Sequence, residues 1–557
     1  MSLDVALRAL LDALPGVRFP LAIEGADAHT RTATELGEQV RDYLLPRAER
    51  LDAPLLACVG GSTGAGKSTI VNSLLGRPVS RPGVLRPTTK APVLVCHPDD
   101  APWFRSEKVL PELTRTDVAM ADTRALQLVE HADLPHGLAL LDAPDVDSVD
   151  DHNRALARQL LQAADLWLFI TSAARYADAV PWGFLHEAAA RDRFLGVVVN
   201  RCPPSSIGDV APDLARMLAD EGLGEAPLFA IEEQPLVDGM LPASAVQPIR
   251  RWLAGLALEQ DARAAVVKQS LGGALRQLGD DVAHLCQGLD EQREALADLR
   301  SQALGRFEDA AQRIALAMGD GSMLRGEIVA HWHDVVGTTD LLRGLDERVA
   351  SLRARARRWF RAEPRAERVN EEVSDQLARV IVEAAAGASD AVVDAWSRTT
   401  WGRALVTDEL RAPSPGFEDR ALGAIRGWQQ DVLGLVTEQG GGKRFRARLL
   451  AFGTNALGLT LMIVVFASTG GLTGAEAGIA GGTSLLAQRI LESVFGAGAV
   501  ERLTAEARTL LEGRIQELLV DEASRFGAVL DEHVVPDEVS ARLRAAAEQV
   551  AGEGKSL

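Results

Sequence analysis

The feature that most constrains this chain is a run of ten residues, Gly60-Gly61-Ser62-Thr63-Gly64-Ala65-Gly66-Lys67-Ser68-Thr69, set between the apolar stretches Leu55–Val59 and Ile70–Leu75. It matches the pattern Gly-x-x-x-x-Gly-Lys-Ser/Thr, which has a structural meaning only where a buried strand turns into a helix. Glycines let successive backbone amides converge on phosphate oxygens, and the helix N-terminus adds partial positive charge. Gly61, Ser62, Thr63, Gly64, Ala65, Gly66, Lys67, Ser68 and Thr69 are therefore the expected cradle of a nucleoside triphosphate. Lys67 is placed to reach the β- and γ-phosphates, and the Ser68 hydroxyl to ligate Mg²⁺.

Such a loop requires an α/β sheet around it, and the text on both sides supplies one. Short apolar runs at Leu55–Val59, Val93–Cys96, Leu138–Leu141, Leu166–Thr171, Leu195–Val199 and Leu228–Ile231 alternate with helical stretches. That alternation predicts a mostly parallel sheet flanked by helices. After about residue 245 the strand signals stop. Arg250–Met318 and Gly344–Trp401 carry apolar stripes at helical spacing among charges, which suits either an extended bundle or stalk or a compact helical domain. The expected organisation is residues 1–53 as N-terminal helices packing with the stalk, 54–245 as the nucleotide domain and 246–442 as the helical bundle. Residues 443–500 form a basic flank with a hydrophobic segment, and 501–557 are helices returning to the stalk.

Other candidate residues follow from position along the sheet. Thr89, in Arg86-Pro87-Thr88-Thr89-Lys90-Ala91-Pro92, stands before the second strand and is preferred over Thr88 to close over Mg²⁺ and the γ-phosphate. Asp142 ends the strand Leu138–Leu141, where an acid holds Mg²⁺ directly or through water. Asn200 and Arg201 end the run Val197–Val199. Asn200 is placed to bond base and loop and the Arg201 stem to cover a purine face, the plainer reading being an Asn that caps a strand. With Ser68, Thr89 and Asp142 as the metal set, the catalytic candidates are Lys67, Ser62, Thr63 and Thr89.

Leu449–Ser468, LLAFGTNALGLTLMIVVFAS, is twenty residues without a charge and follows Lys443, Arg444, Arg446 and Arg448. Length and flank together predict membrane contact, by spanning, dipping in or lying at the surface, a buried core helix being the alternative. Ala475–Val500 reads as a return limb or interfacial helix. The formal charge of −19 argues against a nucleic-acid partner, because a net anion repels phosphate unless its basic residues cluster. Four cysteines without paired spacing predict reduced thiols, and the first residues lack the basic region of a cleaved secretory signal.

In order along the chain, GSTGAGKST, RPTTKAP, LLDAPDVDSVD, VVVNRCPP and the later Met323-Leu324-Arg325-Gly326-Glu327 resemble the large dynamin-like GTPases, in particular the bacterial group found in actinobacteria. The resemblance covers the whole layout. It implies a Ras-like G domain followed by an all-α bundle or stalk with a hydrophobic membrane-contacting segment. It further implies GTP as substrate with Mg²⁺, and membrane lipid and a second copy or a related dynamin-like protein as partners. The implied location is the cytoplasm, associated with or inserted in the inner membrane.

Three departures qualify what the resemblance implies. Asp145 stands where the second-switch motif has a glycine, Pro203 where the guanine-reading Asp belongs, and Thr63-Gly64 where dynamins often carry Gln-Ser. Slow intrinsic turnover is the expectation. The alternatives are a nucleotide-gated membrane scaffold with little hydrolysis and an ABC-type ATPase. No LSGGQ-like signature is found, and Ala143, not a glutamate, follows Asp142, against the ATPase.

Overall fold

A computed structural model describes residues 2–80, 91–106, 108–118, 124–148, 150–190, 192–319, 363–438, 454–467, 487–492 and 494–555. Thr89, Met323–Glu327 and the basic residues 443–448 lie outside the described residues, as do parts of the hydrophobic segment. The chain divides into two compact units. One contains residues 1–20, 24–291 and 535–557, the other 21–23 and 292–534.

The first unit is built on an eight-stranded sheet. Its strands are β1 (Leu55–Gly61), β2 (Val93–Cys96), β3 (Thr114–Thr116), β4 (Ala125–Glu130), β5 (Leu138–Asp142), β6 (Leu166–Ser172), β7 (Phe194–Cys202) and β8 (Leu228–Glu232). They lie in the order β3-β4-β2-β5-β1-β6-β7-β8. All neighbouring pairs are parallel except β2 with β5, which is antiparallel. The sheet is therefore mostly parallel, as the alternating pattern predicts. Strands β3 and β4 were not foreseen. β3 has three residues, Thr-Arg-Thr, with no apolar run, so pairing with β4 and not local sequence makes it a strand.

Every residue of β1 and β6 is buried, because helices cover both faces. Side chains alternate between two cores. Leu56, Cys58, Leu94, Ala139, Leu141, Trp167 and Phe169 enter one; Leu55, Ala57, Val59, Val95, Leu138, Leu140, Leu168 and Ile170 enter the other. The four cysteines are buried and free.

The N-terminal helices pack within the same unit. Leu3, Ala6, Leu7 and Leu10 of α1 (Leu3–Ala13) share a core with Leu271, Leu278 and Val282 of the long helix Gln260–Gly319. Leu543, Ala546 and Val550 of the helix Asp537–Gly554 complete it. A buried ion pair ties this layer to the sheet. Arg47 meets Asp165 and donates to the Ala53 carbonyl at 2.9 Å, and the same Asp165 oxygen accepts from the Leu56 amide at 2.9 Å. Holding the start of β1 in this way fixes where its far end delivers the glycine loop.

The second unit, among the described residues, is all helix. Helices Glu363–Trp396, Phe417–Glu438, Thr454–Ala467 and Ala497–Asp531 enclose one apolar core with Trp396, Trp428, Phe466 and Phe526 buried in it. The indoles keep their N–H groups satisfied: Trp428 donates to Ala507 O at 2.7 Å and Trp396 to Leu299 O at 3.1 Å.

The described part of the hydrophobic segment is the helix Thr454–Ala467. No helix among the described residues is long and apolar enough to cross a membrane. Leu457, Leu459, Leu461, Met462, Ile463, Val464, Val465 and Phe466 are all buried, and the helix packs against Glu363–Trp396, Phe417–Glu438 and Ala497–Asp531. An all-round apolar helix suits a protein core as well as it suits lipid. Among the described residues this part of the segment is a helix buried by its neighbours, the alternative that the sequence left open.

Candidate functional site

The site forms where β1 and β5 end side by side. β1 runs into the loop Ser62–Gly66 and then α4 (Lys67–Leu75). Two glycines are required by geometry. Gly61 has φ +144°, and a Cβ there would lie 1.9 Å from the Ile170 carbonyl oxygen. Gly66 has φ +96°, and a Cβ there would lie 2.5 Å from Asn200 Nδ2.

The loop's polar groups converge on residues from other strands. Lys67 is nearly buried. Its Nζ donates to Gly61 O at 2.9 Å and Ser62 O at 3.1 Å and pairs with the Asp145 carboxylate. Ser68 donates its hydroxyl to Asp142 Oδ2 at 2.7 Å, and Ser80 donates to the same oxygen at 2.6 Å. Burial pushes the Asp142 carboxyl above the usual carboxylate range, against the pull of the Ser80 and Ser68 hydrogen bonds and of Lys67. Its other oxygen, Oδ1, is buried without a hydrogen-bond partner. Asn200 is buried at the end of β7 and donates to Ala65 O at 2.8 Å, tying that strand end to the loop.

Lys67, Ser68, Asp142, Asn200 and the loop Gly61–Gly66 thus come together, as their positions along the chain suggest. Ser62 has its hydroxyl buried within the loop, and Thr69 lies in the first turn of α4, its carbonyl accepting from Ser73 Oγ at 2.6 Å. Arg201 does not join them. It is exposed at φ +55° on the rim beyond Asn200.

Sequence reasoning missed a second tier of the site. The Asp147 Oδ1 accepts from the Thr63 amide at 2.6 Å and from its hydroxyl, and Oδ2 pairs with Arg175 at 2.7 Å. Arg175, just past β6, also donates to Asp178 at 2.7 Å and to Thr63 O at 3.2 Å. Burial opposes ionisation of Asp147, but the hydrogen bonds from Thr63 and Arg175 outweigh it and hold its carboxyl below the usual range. The only local signal was the acid-rich run after β5. Ser80 and Arg175 carry none, because they reach Asp142 and the loop, respectively, from separate parts of the chain.

A carboxylate oxygen left without a partner beside a serine hydroxyl suits a small hard cation. Magnesium takes few protein ligands and fills its remaining positions with water and phosphate oxygens. The donor set of Ser68 and Asp142 fits it.

No protein-family model matches the chain. A stretch of 145 residues, 26% of the chain, is 29% identical to a curated protein of Arabidopsis thaliana described as "Probable transmembrane GTPase FZO-like, chloroplastic", and spans 14% of that relative's length. Among solved structures, one from an oligomerised bacterial dynamin pair described as a mechanism for long-range sensing and tethering of membranes is 12% identical. It covers 94% of this chain and 91% of that one, with a TM-score of 0.42. LeoA, described as a bacterial dynamin GTPase from ETEC, is 10% identical over 99% of both chains at a TM-score of 0.24. An Era structure from Aquifex aeolicus, bound to GDP and AlF4−, is 20% identical over 36% of this chain and 56% of that one, also at 0.24. With identities and TM-scores this low, the functional reading rests on the site's own residues.

Proposed function

We propose that this chain is a dynamin-like GTPase, binding GTP with Mg²⁺ at Gly61–Thr69 and coupling hydrolysis to self-assembly and membrane association at the inner face of the plasma membrane. The observation that carries the proposal is the meeting of Lys67, Ser68 and Asp142 at adjoining strand ends, with Asn200 bonded to the same loop. The motif order along the chain and the stretch of identity to a curated GTPase support the guanine nucleotide and the dynamin-like layout.

In this reading the loop amides and Lys67 neutralise and orient the triphosphate, and water is the attacking species. Ser68 and Asp142 would hold Mg²⁺, which would supply charge neutralisation of the triphosphate. Thr89 closes over the γ-phosphate. Asn200 fixes the base-side loop against Ala65. Ser62 and Thr63 stand where a residue assisting the water belongs. Neither brings a carboxamide, so turnover without assembly is slow. Membrane association does not use Thr454–Ala467 as a span, since that helix is enclosed by its neighbours.

The test is titration of the purified chain with fluorescent GTP and ATP, alongside phosphate release with and without anionic vesicles. GTP binds more tightly, Lys67→Ala weakens it at least 100-fold, and vesicles accelerate release. Tighter binding of ATP overturns the guanine assignment. Release that stays at background with vesicles present makes the chain a nucleotide-gated scaffold.

A further inference from the structure

Two carboxylates on one short segment treat the phosphate cradle differently. After β5 the chain continues alongside the end of β1 in the same direction, where the Ala143 amide bonds to Val59 O at 3.2 Å and the Val146 amide to Gly61 O at 3.3 Å. This backbone pairing aims Asp145 and Asp147 at the loop. Asp147 is built in: its side chain is only 8% exposed, and both oxygens are engaged by Thr63 and Arg175. Asp145 is 37% exposed and its carboxylate makes one ion pair, to Lys67, whose side chain is 6% exposed.

An ammonium has three donors. Lys67 directs them at Gly61 O, Ser62 O and Asp145. The two carbonyls belong to the loop itself, so they stay with Lys67 as long as the loop keeps its shape. Asp145 is the partner that can leave, being more than a third exposed and outside the loop. It is also an anion on the amine that a terminal phosphate would take.

We propose that Asp145 is a tethered competitor for the terminal phosphates of the nucleotide, a brake that must swing into solvent before Lys67 can engage them. Asp147 and Arg175 are its fixed counterpart and hold the loop in shape while Asp145 moves. The inference rests on the reading of Gly61–Thr69 as a triphosphate cradle. It assigns a consequence to the acid that stands at the position of the second-switch glycine: slow nucleotide entry, with release of the brake as the regulated step.

The experiment measures association rate and affinity of a fluorescent, non-hydrolysable GTP analogue for the full chain in excess Mg²⁺. Wild type, Asp145→Asn, Asp147→Asn and Asp150→Asn are compared. Asp150 is a control of equal charge change: it caps the helix Asp151–Gln162, a role that Asn also fills, and does not touch Lys67. Asp145→Asn is expected to tighten binding at least fivefold, mainly through faster association, while Asp150→Asn stays within twofold and Asp147→Asn weakens it. Unchanged or weaker binding by Asp145→Asn overturns the brake. So does an equal gain in Asp150→Asn, which would reduce the effect to net charge. If wild type and every variant bind no better than Lys67→Ala, the cradle reading itself falls, and the brake with it.

Discussion

The loop Gly61–Gly66 and the helix Thr454–Ala467 are both short, uncharged runs, and the fold treats them in opposite ways. The loop and the helix start that follows it are met by polar groups: Asp142, Asp145 and Asp147 from the end of β5 and the segment after it, and Asn200 from the end of β7. The helix is met by apolar side chains on all sides, Phe466 lying edge-on to Trp428 with ring centroids 5.8 Å apart. The difference follows from backbone chemistry. A glycine loop exposes amides that need acceptors, so its neighbours must be polar. A helix satisfies its own backbone, so its neighbours are set by side chains alone and can be lipid or protein.

The sharpest way to break this comparison is to put a charge into the helix. Val465 is fully buried, and Val465→Asp leaves a carboxylate among apolar groups. A loss of about 4 kcal/mol or more is expected, read as a lowered urea midpoint and reduced helicity in the absence of lipid. If Val465→Asp keeps its stability but loses vesicle binding, the helix faces lipid and not the core.

A smaller effect tests the polar side. Asn200→Ala removes the bond to Ala65 O and leaves a buried carbonyl without its donor. About 1–3 kcal/mol of stability should go, measured without nucleotide, together with weaker GTP binding. Stability unchanged within error would mean that the loop does not depend on that strand end.

The smallest effect lies away from both regions and asks whether buried acids in the first unit always serve the loop. Asp42 is buried against Gln159, whose Nε2 donates to it at 2.7 Å, and burial first of all pushes its carboxyl up to about 6. A raised folded value favours the protonated fold. The stabilisation is therefore present below about pH 4 and is lost as pH rises through 6. Asp42→Asn should raise stability by about 1–2 kcal/mol at pH 7.5 and leave it unchanged near pH 4, with GTP affinity untouched. A gain of the same size at both pH values would rule out ionisation as the cause.

The outcome at particular residues shows how far local text reaches. The glycine loop, α4 and the acid ending β5 were legible because a strand–turn–helix at that spacing has few other uses. Six strands were legible from their continuous apolar runs, and in β1, β2, β5 and β6 every residue is buried because both faces are covered. β3 was not, since Thr114–Thr116 carries no run and owes its conformation to β4. Ser80, Asp147 and Arg175 were not, since each joins the site through a contact that no local spacing encodes. The Gly-to-Asp departure at Asp145 was visible, but its ion pair with Lys67 was not.

What the sequence determined by itself is the glycine loop and the α/β sheet that must surround it, followed by a helical remainder. Local steric and hydrogen-bond requirements leave little choice there. What only the tertiary structure decided is which groups complete the cradle, and that Thr454–Ala467 is covered by protein. Both depend on what distant segments bring to a given point, and the free energy of a side chain is set by those neighbours and not by its place in the chain.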